Sequence, residues 1–393
     1  MKIGIDCRTI LNPGFGESAG VGHYTYCLVE ALVKNDPANR YVLFFDTNVS
    51  LAAVREFLGA APNVTIKHFP FHEYRKHLPD FYTGVFLPAL YAKERLDVLL
   101  EPSGEAAAGG FMGKKVVVLH EVYGLLPHSP EGFAASKASR VIVFSEYAKH
   151  EAVKALKIKP EKIEVIPCGV TPQFHFTLSD GTVEETPNVE NRTYDSRIKF
   201  GLPERFVFFL GTIEPRKNLH GLMSAFVREC REHANDSTDL SLAIAGAKGA
   251  GSDFVFEEME IFNDELQGIL GRRAIRYLGY VSAEEKWDLL ERAEIFAYPV
   301  LFEDFGLPVL EAMSVGTPVL AANRGAIPEL VGNAGLLVDP EFTNEMYLGM
   351  ARLLRDETSR KHFGEVGKKR AAEFTWEKTA KATLAALHRA MMG

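Results

Sequence analysis

Two hydrophobic patterns alternate along this chain. Short apolar runs rich in β-branched residues alternate with stretches whose apolar residues recur at helical spacing. Before residue 170 the runs are KIGID, YVLFF, VTIKHF, DVLL, VVVLH, VIVFS and KIEVIP; after residue 200 they are FVFFLG, SLAIAG, IRYLGYV, IFAYPV and TPVLAA. The alternation predicts the α/β class, with mostly parallel sheets covered by helices on both faces. Ligands of such sheets bind beyond the carboxyl ends of the strands.

The length of 393 residues is too great for one ordinary core and suits two domains. One stretch, TLSDGTVEETPNVENRTYDS, is acidic and poor in large apolar residues, so it cannot build a core. We therefore predict a Rossmann-like domain at 1–170, a linker with an acidic surface insertion at 171–200, and a second Rossmann-like domain at 201–374. A final helix follows at 375–393.

Composition narrows the class of protein further. A hydrophobic content of 47% with mixed charges is typical of a globular protein, and the net charge of -8 argues against general nucleic-acid binding. The four cysteines are scattered, without a C-x-x-C pair, which favours reduced thiols. MKIGIDCRTI reads as a strand and not as a signal peptide, and no apolar run reaches membrane-spanning length. We expect a cytoplasmic protein that meets a membrane only at its inner surface.

The stretch FEDFGLPVLEAMSVGTPV carries the strongest candidate chemistry. Glu303 and Glu311 flank a turn at Gly306 that becomes a helix, and Pro308 suits that helix's first turn. Strands precede and follow this unit. Helix-start N–H groups bind anions, and carboxylates accept hydrogen bonds from sugar hydroxyls. Phosphate together with sugar hydroxyls indicates a nucleotide sugar.

A second anion site is predicted after the strand that ends at Gly211. Arg216 and Lys217 lead into a helix near Asn218, where the helix macrodipole already favours negative charge. Two cations at this position make sense if an anion binds between them. The sequence has no D-x-D metal signature, so we expect neither a metal ion nor another cofactor, and protein cations take the place of a divalent ion.

Three features of the first domain leave alternatives open. Gly14, Gly16, Gly20 and Gly22 precede the helix HYTYCLVEALV, as either a ligand-approaching loop or an ordinary flexible one. His120 ends the strand VVVLH, where a lone histidine is as often structural as functional. Residues 67–95 mix basic, histidine and aromatic side chains. They predict either a helix with a solvated basic face or an acceptor-side surface that touches anionic lipid head groups.

The two carboxylates have seven residues between them, with FGLP, EAM and GTPV around them, and this pattern resembles the retaining glycosyltransferases of family four (glycosyl transferases group 1). GTIEPRKNL is a second signature of that family, and the resemblance covers nearly the whole chain outside the insertion. It implies the GT-B fold, with two Rossmann-like domains facing across a cleft and a C-terminal helix that crosses back to the first domain. The chain departs from the family pattern at Glu121, where Asp is common, and at Cys168, where Asn is frequent.

The resemblance also implies roles for individual residues. Arg216 and Lys217 grip the donor diphosphate, Glu311 holds the ribose, and Glu303 holds the sugar hydroxyls. The residues implied as catalytic are His120, Glu303, Arg216 and Lys217, with His120 bordering the donor sugar. From the residue patterns and the resemblance together, the candidate donor-binding residues are Gly20, Gly22, Gly211, Arg216, Lys217, Gly279, Tyr280, Val281, Glu303, Phe305, Gly306, Leu307 and Glu311. Gly279, Tyr280 and Val281 are the ones that lie against the nucleotide base.

The expected reaction is metal-independent, retaining hexosyl transfer from a nucleotide diphosphosugar to a glycan, lipid-linked or small-molecule acceptor. The donor is of the GDP-mannose or UDP-glucose type, and the resemblance favours mannosyl transfer. Two alternatives remain open: a sugar-nucleotide epimerase or hydrolase of the same architecture, and a silent subunit that binds nucleotide sugar. A dehydrogenase is disfavoured because the dinucleotide fingerprint loop is missing.

Overall fold

The computed structural model of the protein describes residues 1–11, 20–59, 61–77, 81, 85–103, 111–170, 175–177, 183–185, 194–236 and 239–392. It divides into two compact units. The first comprises Met1–Gly169 and Phe374–Gly393, and the second comprises Val170–Glu373. Within these described ranges, no helix is both long enough and apolar enough to cross a membrane.

In the first unit, seven described strands form one parallel sheet in the order β3-β2-β1-β4-β5-β6-β7. They are β1 Lys2–Asp6, β2 Arg40–Asp46, β3 Val64–Phe69, β4 Val98–Glu101, β5 Lys114–Val118, β6 Arg140–Val143 and β7 Ile163–Val165. The central strands are buried on both faces, as their continuous apolar runs predict.

The helices of the first unit cover this sheet. Apart from the last helix of the chain, the described ones are α1 Gly20–Asn35, α2 Leu51–Leu58, α3 Phe71–His77, α4 Leu87–Lys93, α5 Pro130–Lys137 and α6 Glu146–Leu156, with a short 3₁₀ turn at Pro160–Lys162. One core cluster joins strands β2 and β4 to helices α3 and α4 through Phe44, Phe71 and Tyr91. A second joins β5 and β6 to α5 and α6.

In the second unit, six described strands form a parallel sheet in the order β12-β11-β10-β13-β14-β15. They are β10 Arg205–Leu210, β11 Leu240–Ala245, β12 Ile275–Gly279, β13 Ile295–Tyr298, β14 Val319–Ala322 and β15 Leu336–Val338. A separate antiparallel pair consists of β8 His175–Thr177 and β9 Val183–Glu185.

The helices of the second unit alternate with its strands. They are α7 Ser196–Phe200, α8 Leu219–Glu232, α9 Ser252–Leu270, α10 Ala283–Arg292, α11 Leu307–Val315, α12 Ile327–Val331, α13 Thr343–Arg355 and α14 Glu357–Ala371, with a 3₁₀ turn at Pro215–Lys217. Phe206, Phe208 and Phe296 fill the centre of the sheet and are fully buried. The predicted α/β class with two Rossmann-like domains is confirmed.

The last helix, α15 Trp376–Met392, belongs to the first unit. Its buried residues fall at helical spacing, and this stripe packs on α1 and on strands β4, β5 and β6. The Thr379 hydroxyl donates to the Pro167 carbonyl at 2.8 Å, and Arg389 pairs with Glu164 at 2.7 Å. The predicted return of the C-terminal helix to the first domain is therefore confirmed.

Two local predictions need correction. Helix α1 begins at Gly20, so Gly20 and Gly22 lie in its first turn and not in a loop before it; Gly14 and Gly16 lie outside the described residues. The segment 67–95 is not one helix: it starts in β3 and continues through α3 and α4, because Phe71, Leu87 and Tyr91 are drawn into the core. Parts of the predicted linker, 171–174, 178–182 and 186–193, also lie outside the described residues.

Candidate functional site

The centre of the second unit's site is a buried charge cluster on Glu303. Lys217 Nζ donates to Glu303 Oε2 at 2.6 Å and to the Tyr298 hydroxyl at 3.0 Å. Tyr298, in turn, donates to the same Glu303 oxygen at 2.8 Å. Lys217 and Tyr298 are buried, and burial together with Glu303 raises the pKa of Tyr298 well above its usual value. Tyr298 therefore remains a hydrogen-bond donor at neutral pH.

Arg216 stands beside this cluster. Its Nε lies 2.7 Å from Glu214 Oε1, and its Nη1 lies 3.7 Å from Glu303 Oε2. The guanidinium also lies 5.7 Å from the centre of the Phe302 ring, within cation–π range. The backbone carbonyl of Arg216 accepts from Leu301 N at 2.9 Å, which ties the loop after β10 to the loop after β13. Arg216, Lys217 and Glu303 are thus brought together at one site.

A turn at Gly325 packs closely against the backbone of Glu303. That glycine has φ +61°, and a Cβ there would lie 2.5 Å from the Glu303 carbonyl oxygen. The same carbonyl accepts from Ala326 N at 2.8 Å. Because the left-handed conformation and the close approach both favour glycine, the sequence NRGAIPELVG positions the Glu303 loop.

Helix α11 begins directly after this loop. Gly306 caps it with φ 95°, and Pro308 occupies the second helical position. Phe305 is buried before the helix, and Leu307 contributes its first N–H, one of the groups that lack an acceptor inside a helix. The start of the helix, four residues after Glu303, therefore carries a partial positive charge.

Glu311 lies in α11, and it too is paired with a lysine. Lys286 Nζ, from α10, donates to Glu311 Oε1 at 2.5 Å, and the two side chains are only 6% and 4% exposed. The Lys286 ammonium also lies 4.9 Å from the Trp287 ring centre. Each carboxylate of the motif is thus held by a buried lysine from a different element of the second unit.

The remaining predicted residues of this unit lie at the carboxyl ends of neighbouring strands. Gly246, after β11, has φ 143°, and a Cβ there would lie 1.9 Å from the Gly211 carbonyl oxygen. Gly246 N donates to the Gly279 carbonyl at 2.8 Å, so Gly211 and Gly279 border one crowded edge. Beyond Gly279, Tyr280 is 63% exposed and Val281 is buried.

In the first unit, His120 is partly buried at the end of β5. Its Nε2 lies 2.7 Å from the Pro102 carbonyl, which only accepts, so Nε2 carries the proton and Nδ1 is left as an acceptor. Burial lowers the pKa of His120 to about 4, and the ring is neutral at physiological pH. The rings of Tyr24 and Phe144 pack edge-on against it, with centres 5.0 and 5.1 Å away.

Cys168, where the chain departs from the family pattern, is also in the first unit. It is buried, and burial raises the pKa of its thiol well above the usual value. It is therefore a protonated, apolar side chain at neutral pH. This position lacks the amide that asparagine would supply.

Two site residues escaped the sequence analysis. Tyr298 looked like one more apolar residue of the strand IFAYPV, although its position at the strand's end was a signal. Lys286 looked like an ordinary surface lysine in SAEEKWDLLERA. Yet it shares one helical stripe with Leu289, Leu290 and Ala293, all of which are buried. A lysine inside an apolar stripe needs a buried anion, and Glu311 provides it.

Comparison with solved structures places this architecture among the GT-B glycosyltransferases. The chain matches the sucrose-phosphate synthase of Thermosynechococcus elongatus with a TM-score of 0.70 and 20% identity, covering 100% of this chain and 99% of that one. It matches Anabaena HepE, solved in complex with UDP and glucose, with a TM-score of 0.67 and 18% identity, covering 99% of each chain. At these identities the likeness establishes the fold.

Two family models then cover the two halves of the sequence. Glycosyltransferase Family 4 matches residues 18–174, and Glycosyl transferases group 1 matches residues 191–370. Together the two models cover most of the chain, which belongs to the family-four, group 1 glycosyltransferases.

Two relatives illustrate the range of similarity. The chain is 35% identical to O-antigen chain mannosyltransferase B of Escherichia coli over 181 residues, which are 46% of this chain and 44% of that protein. It is 27% identical to the MMP alpha-(1->4)-mannosyltransferase of Mycolicibacterium hassiacum over 266 residues, 67% of this chain and 54% of that protein. The chain spans about half the length of the curated relatives it matches.

Proposed function

We propose that this protein is a retaining glycosyltransferase that moves a hexose from a nucleotide diphosphosugar to an acceptor, without a metal ion. One observation carries the proposal: Lys217 and Arg216 lie against the Glu303 carboxylate at the carboxyl edge of one sheet, four residues before the start of α11. This arrangement combines positive charge for a diphosphate with a carboxylate for sugar hydroxyls. Both are parts of a nucleotide sugar.

The cations supply the chemistry of the leaving group. Bond cleavage at the anomeric carbon places negative charge on the departing diphosphate. Arg216, Lys217 and the N–H of Leu307 are held in place before the donor binds, so they stabilise that charge with little reorganisation. Glu303 and Tyr298 position Lys217 for this role through hydrogen bonds of 2.6 and 3.0 Å.

The two carboxylates divide the donor between them. Glu303, on the loop, accepts from the hydroxyls of the transferred sugar, and Glu311, inside α11, accepts from the ribose. Gly279, Tyr280 and Val281 border the base. In this proposal His120 accepts a hydrogen bond from a sugar hydroxyl at Nδ1, because its Nε2 proton is already donated to the Pro102 carbonyl.

We propose mannose as the transferred sugar and GDP-mannose as the donor. The names of two relatives, an O-antigen chain mannosyltransferase and an MMP mannosyltransferase, support this choice. A UDP-glucose-type donor is the second candidate, favoured by the Anabaena structures solved with UDP and glucose or with UDP-glucose. The acceptor is a glycan, a lipid-linked glycan or a small molecule.

A binding panel tests the donor. Thermal unfolding is followed with UDP, GDP, ADP and their sugars, all at the same concentration. A ligand present at about 100 times its dissociation constant adds about 2.7 kcal/mol to the free energy of unfolding, and a weaker ligand adds less. We expect GDP and GDP-mannose to stabilise the protein most. A stronger response to the uridine nucleotides would replace GDP-mannose with the UDP-glucose type.

A turnover assay tests the reaction. The donor is incubated with and without candidate acceptors, and NMR follows the anomeric signal of the product. Transfer that needs an acceptor and keeps the donor's configuration supports the proposal. Quantitative conversion of the donor alone would indicate an epimerase or hydrolase. Binding without any turnover, across all acceptors, would indicate the silent subunit.

A further inference from the structure

The Lys286–Glu311 pair is unusual because it is both fully buried and inside the proposed donor site. Taking two charges out of water is costly, and a pair of well-packed apolar residues is often at least as stable. The pair therefore contributes little as a simple fold-stabilising contact between α10 and α11. Glu311 lies one turn after the first helical residue, Leu307, and this position favours a role toward the ligand.

The geometry shows what Lys286 does to the carboxylate. Its Nζ is 2.5 Å from Oε1 of Glu311, and this contact fixes the rotation of the carboxylate group. A carboxylate accepts about four hydrogen bonds at its two oxygens, so one lysine contact leaves acceptor sites for two neighbouring hydroxyls. Lys286 also compensates the Glu311 charge in a place that water does not reach.

We propose that Lys286 is a positioning residue, which orients Glu311 so that its carboxylate accepts hydrogen bonds from the ribose hydroxyls. This inference rests on the proposed function, in which Glu311 binds the ribose. Lys286 does not touch the reacting atoms. It holds Glu311 in the orientation that accepts two adjacent hydroxyls, and the site thereby distinguishes ribonucleotides from deoxyribonucleotides. A carboxylate whose partner hydroxyl is missing rejects the ligand, because a buried acceptor is left unsatisfied.

The test compares matched ligands by calorimetry. GDP and UDP are each titrated beside their 2′-deoxy and 3′-deoxy forms, on the wild-type protein and on Lys286→Met. The wild-type protein should bind the ribose form about ten- to hundredfold more tightly, as expected for one hydrogen bond to a charged group. Lys286→Met should bring this ratio close to one. Lys286→Arg keeps the cation and should retain most of the preference.

Controls separate positioning from folding. Lys361→Met removes an exposed lysine that is paired with Glu357, and it should leave the ratio unchanged. If Lys286→Met fails to fold, Lys286→Gln replaces it, because glutamine keeps an N–H donor toward Glu311 without the charge. We expect the ratio to fall in that variant as well.

The outcomes test three separate statements: the positioning role of Lys286, the ribose role of Glu311 and the proposed function. A folded Lys286→Met or Lys286→Gln variant that loses ribose and deoxyribose affinity equally overturns the positioning role and leaves the proposed function standing. A wild-type protein that does not distinguish ribose from deoxyribose overturns both this inference and the ribose role of Glu311. A wild-type protein that binds neither diphosphate overturns the proposed function itself.

Discussion

Glu303→Gln should separate donor binding from catalysis. In the wild-type protein, Glu303 Oε2 accepts from both Lys217 and Tyr298. Glutamine has nearly the same shape and keeps an acceptor oxygen, but it removes the negative charge. A nucleoside diphosphate lacks the transferred hexose that Glu303 holds, so its affinity should not fall, whereas transfer should collapse.

The structure sets the direction and size of both effects. Glu303 lies 2.6 Å from the Lys217 ammonium, so it competes with an incoming phosphate for that cation. Removing the competitor should leave diphosphate affinity unchanged or improve it by up to about tenfold, which is ~1.4 kcal/mol. Loss of one preorganised transition-state contact typically lowers kcat by about 10²–10³-fold, or ~2.7–4 kcal/mol.

Glu311→Gln is the contrasting variant. Glu311 holds the ribose in our proposal, and the ribose is common to the diphosphate and the intact donor. Loss of a hydrogen bond to a charged group should weaken both ligands about ten- to hundredfold. It also leaves Lys286 buried without its carboxylate, which costs about 3–5 kcal/mol. The second unit should then melt about 6–20 °C lower, given the usual shift of about 2–4 °C per kcal/mol for domains of this size.

The assay therefore pairs calorimetry on the diphosphate with initial rates, at a temperature where every variant is folded. Glu357→Gln, at an exposed carboxylate paired with Lys361, is the matched control and should behave as wild type in both measurements. Equal loss of diphosphate binding in Glu303→Gln and Glu311→Gln would refute the division of roles between the two carboxylates.

Three further predictions concern other parts of the molecule. Transfer should persist in EDTA, since Arg216 and Lys217 stabilise the charge of the departing diphosphate. Activity that is lost in EDTA and restored by magnesium would show that a metal ion stabilises this charge instead. Because the pKa of His120 is lowered to about 4 in the folded state, the unfolded state binds its proton first as pH falls. Stability should therefore decline between about pH 6.5 and 4, by up to ~3 kcal/mol, and His120→Gln should flatten that part of the unfolding curve. If segment 67–95 touches anionic lipid, the protein should sediment with phosphatidylglycerol-containing vesicles and not with neutral ones, and replacing Lys67 and Lys93 with Gln should abolish that difference.

The fold was predictable from the sequence because its strands are nearly continuous apolar runs. A covered parallel sheet buries both faces of each strand, so FVFFL and SLAIA show nearly continuous apolar runs and no alternation of apolar and polar residues. Element ends were harder to place. Glycine disfavours a helix by about 1 kcal/mol relative to alanine, yet Gly20 and Gly22 enter the helix because the residues after them, such as Tyr24 and Leu28, pack its buried face.

Only those residues of the candidate site that lie together in one sequence motif could be predicted as a unit. Glu303, Gly306 and Glu311 are close in sequence, and their offsets indicate a strand–loop–helix unit. Their lysine partners are 86 and 25 residues away. Such pairings depend on which strands and helices become neighbours. That information lies in the order of strands in the sheet, here β10 beside β13, and not in any local pattern.

The membership of helix α15 in the first unit has a consequence for how the protein is made. On a ribosome, the whole second unit is synthesised before Trp376 appears, so its sheet can form while the first unit still lacks a covering helix. Until then the surface of α1 around Tyr24, which Trp376 later covers with its ring centre 5.6 Å away, remains open to water. The nascent chain thus carries one finished domain and one unfinished apolar face, the kind of surface that chaperones bind. Biogenesis should for this reason depend more on chaperones than the stability of either finished unit would suggest.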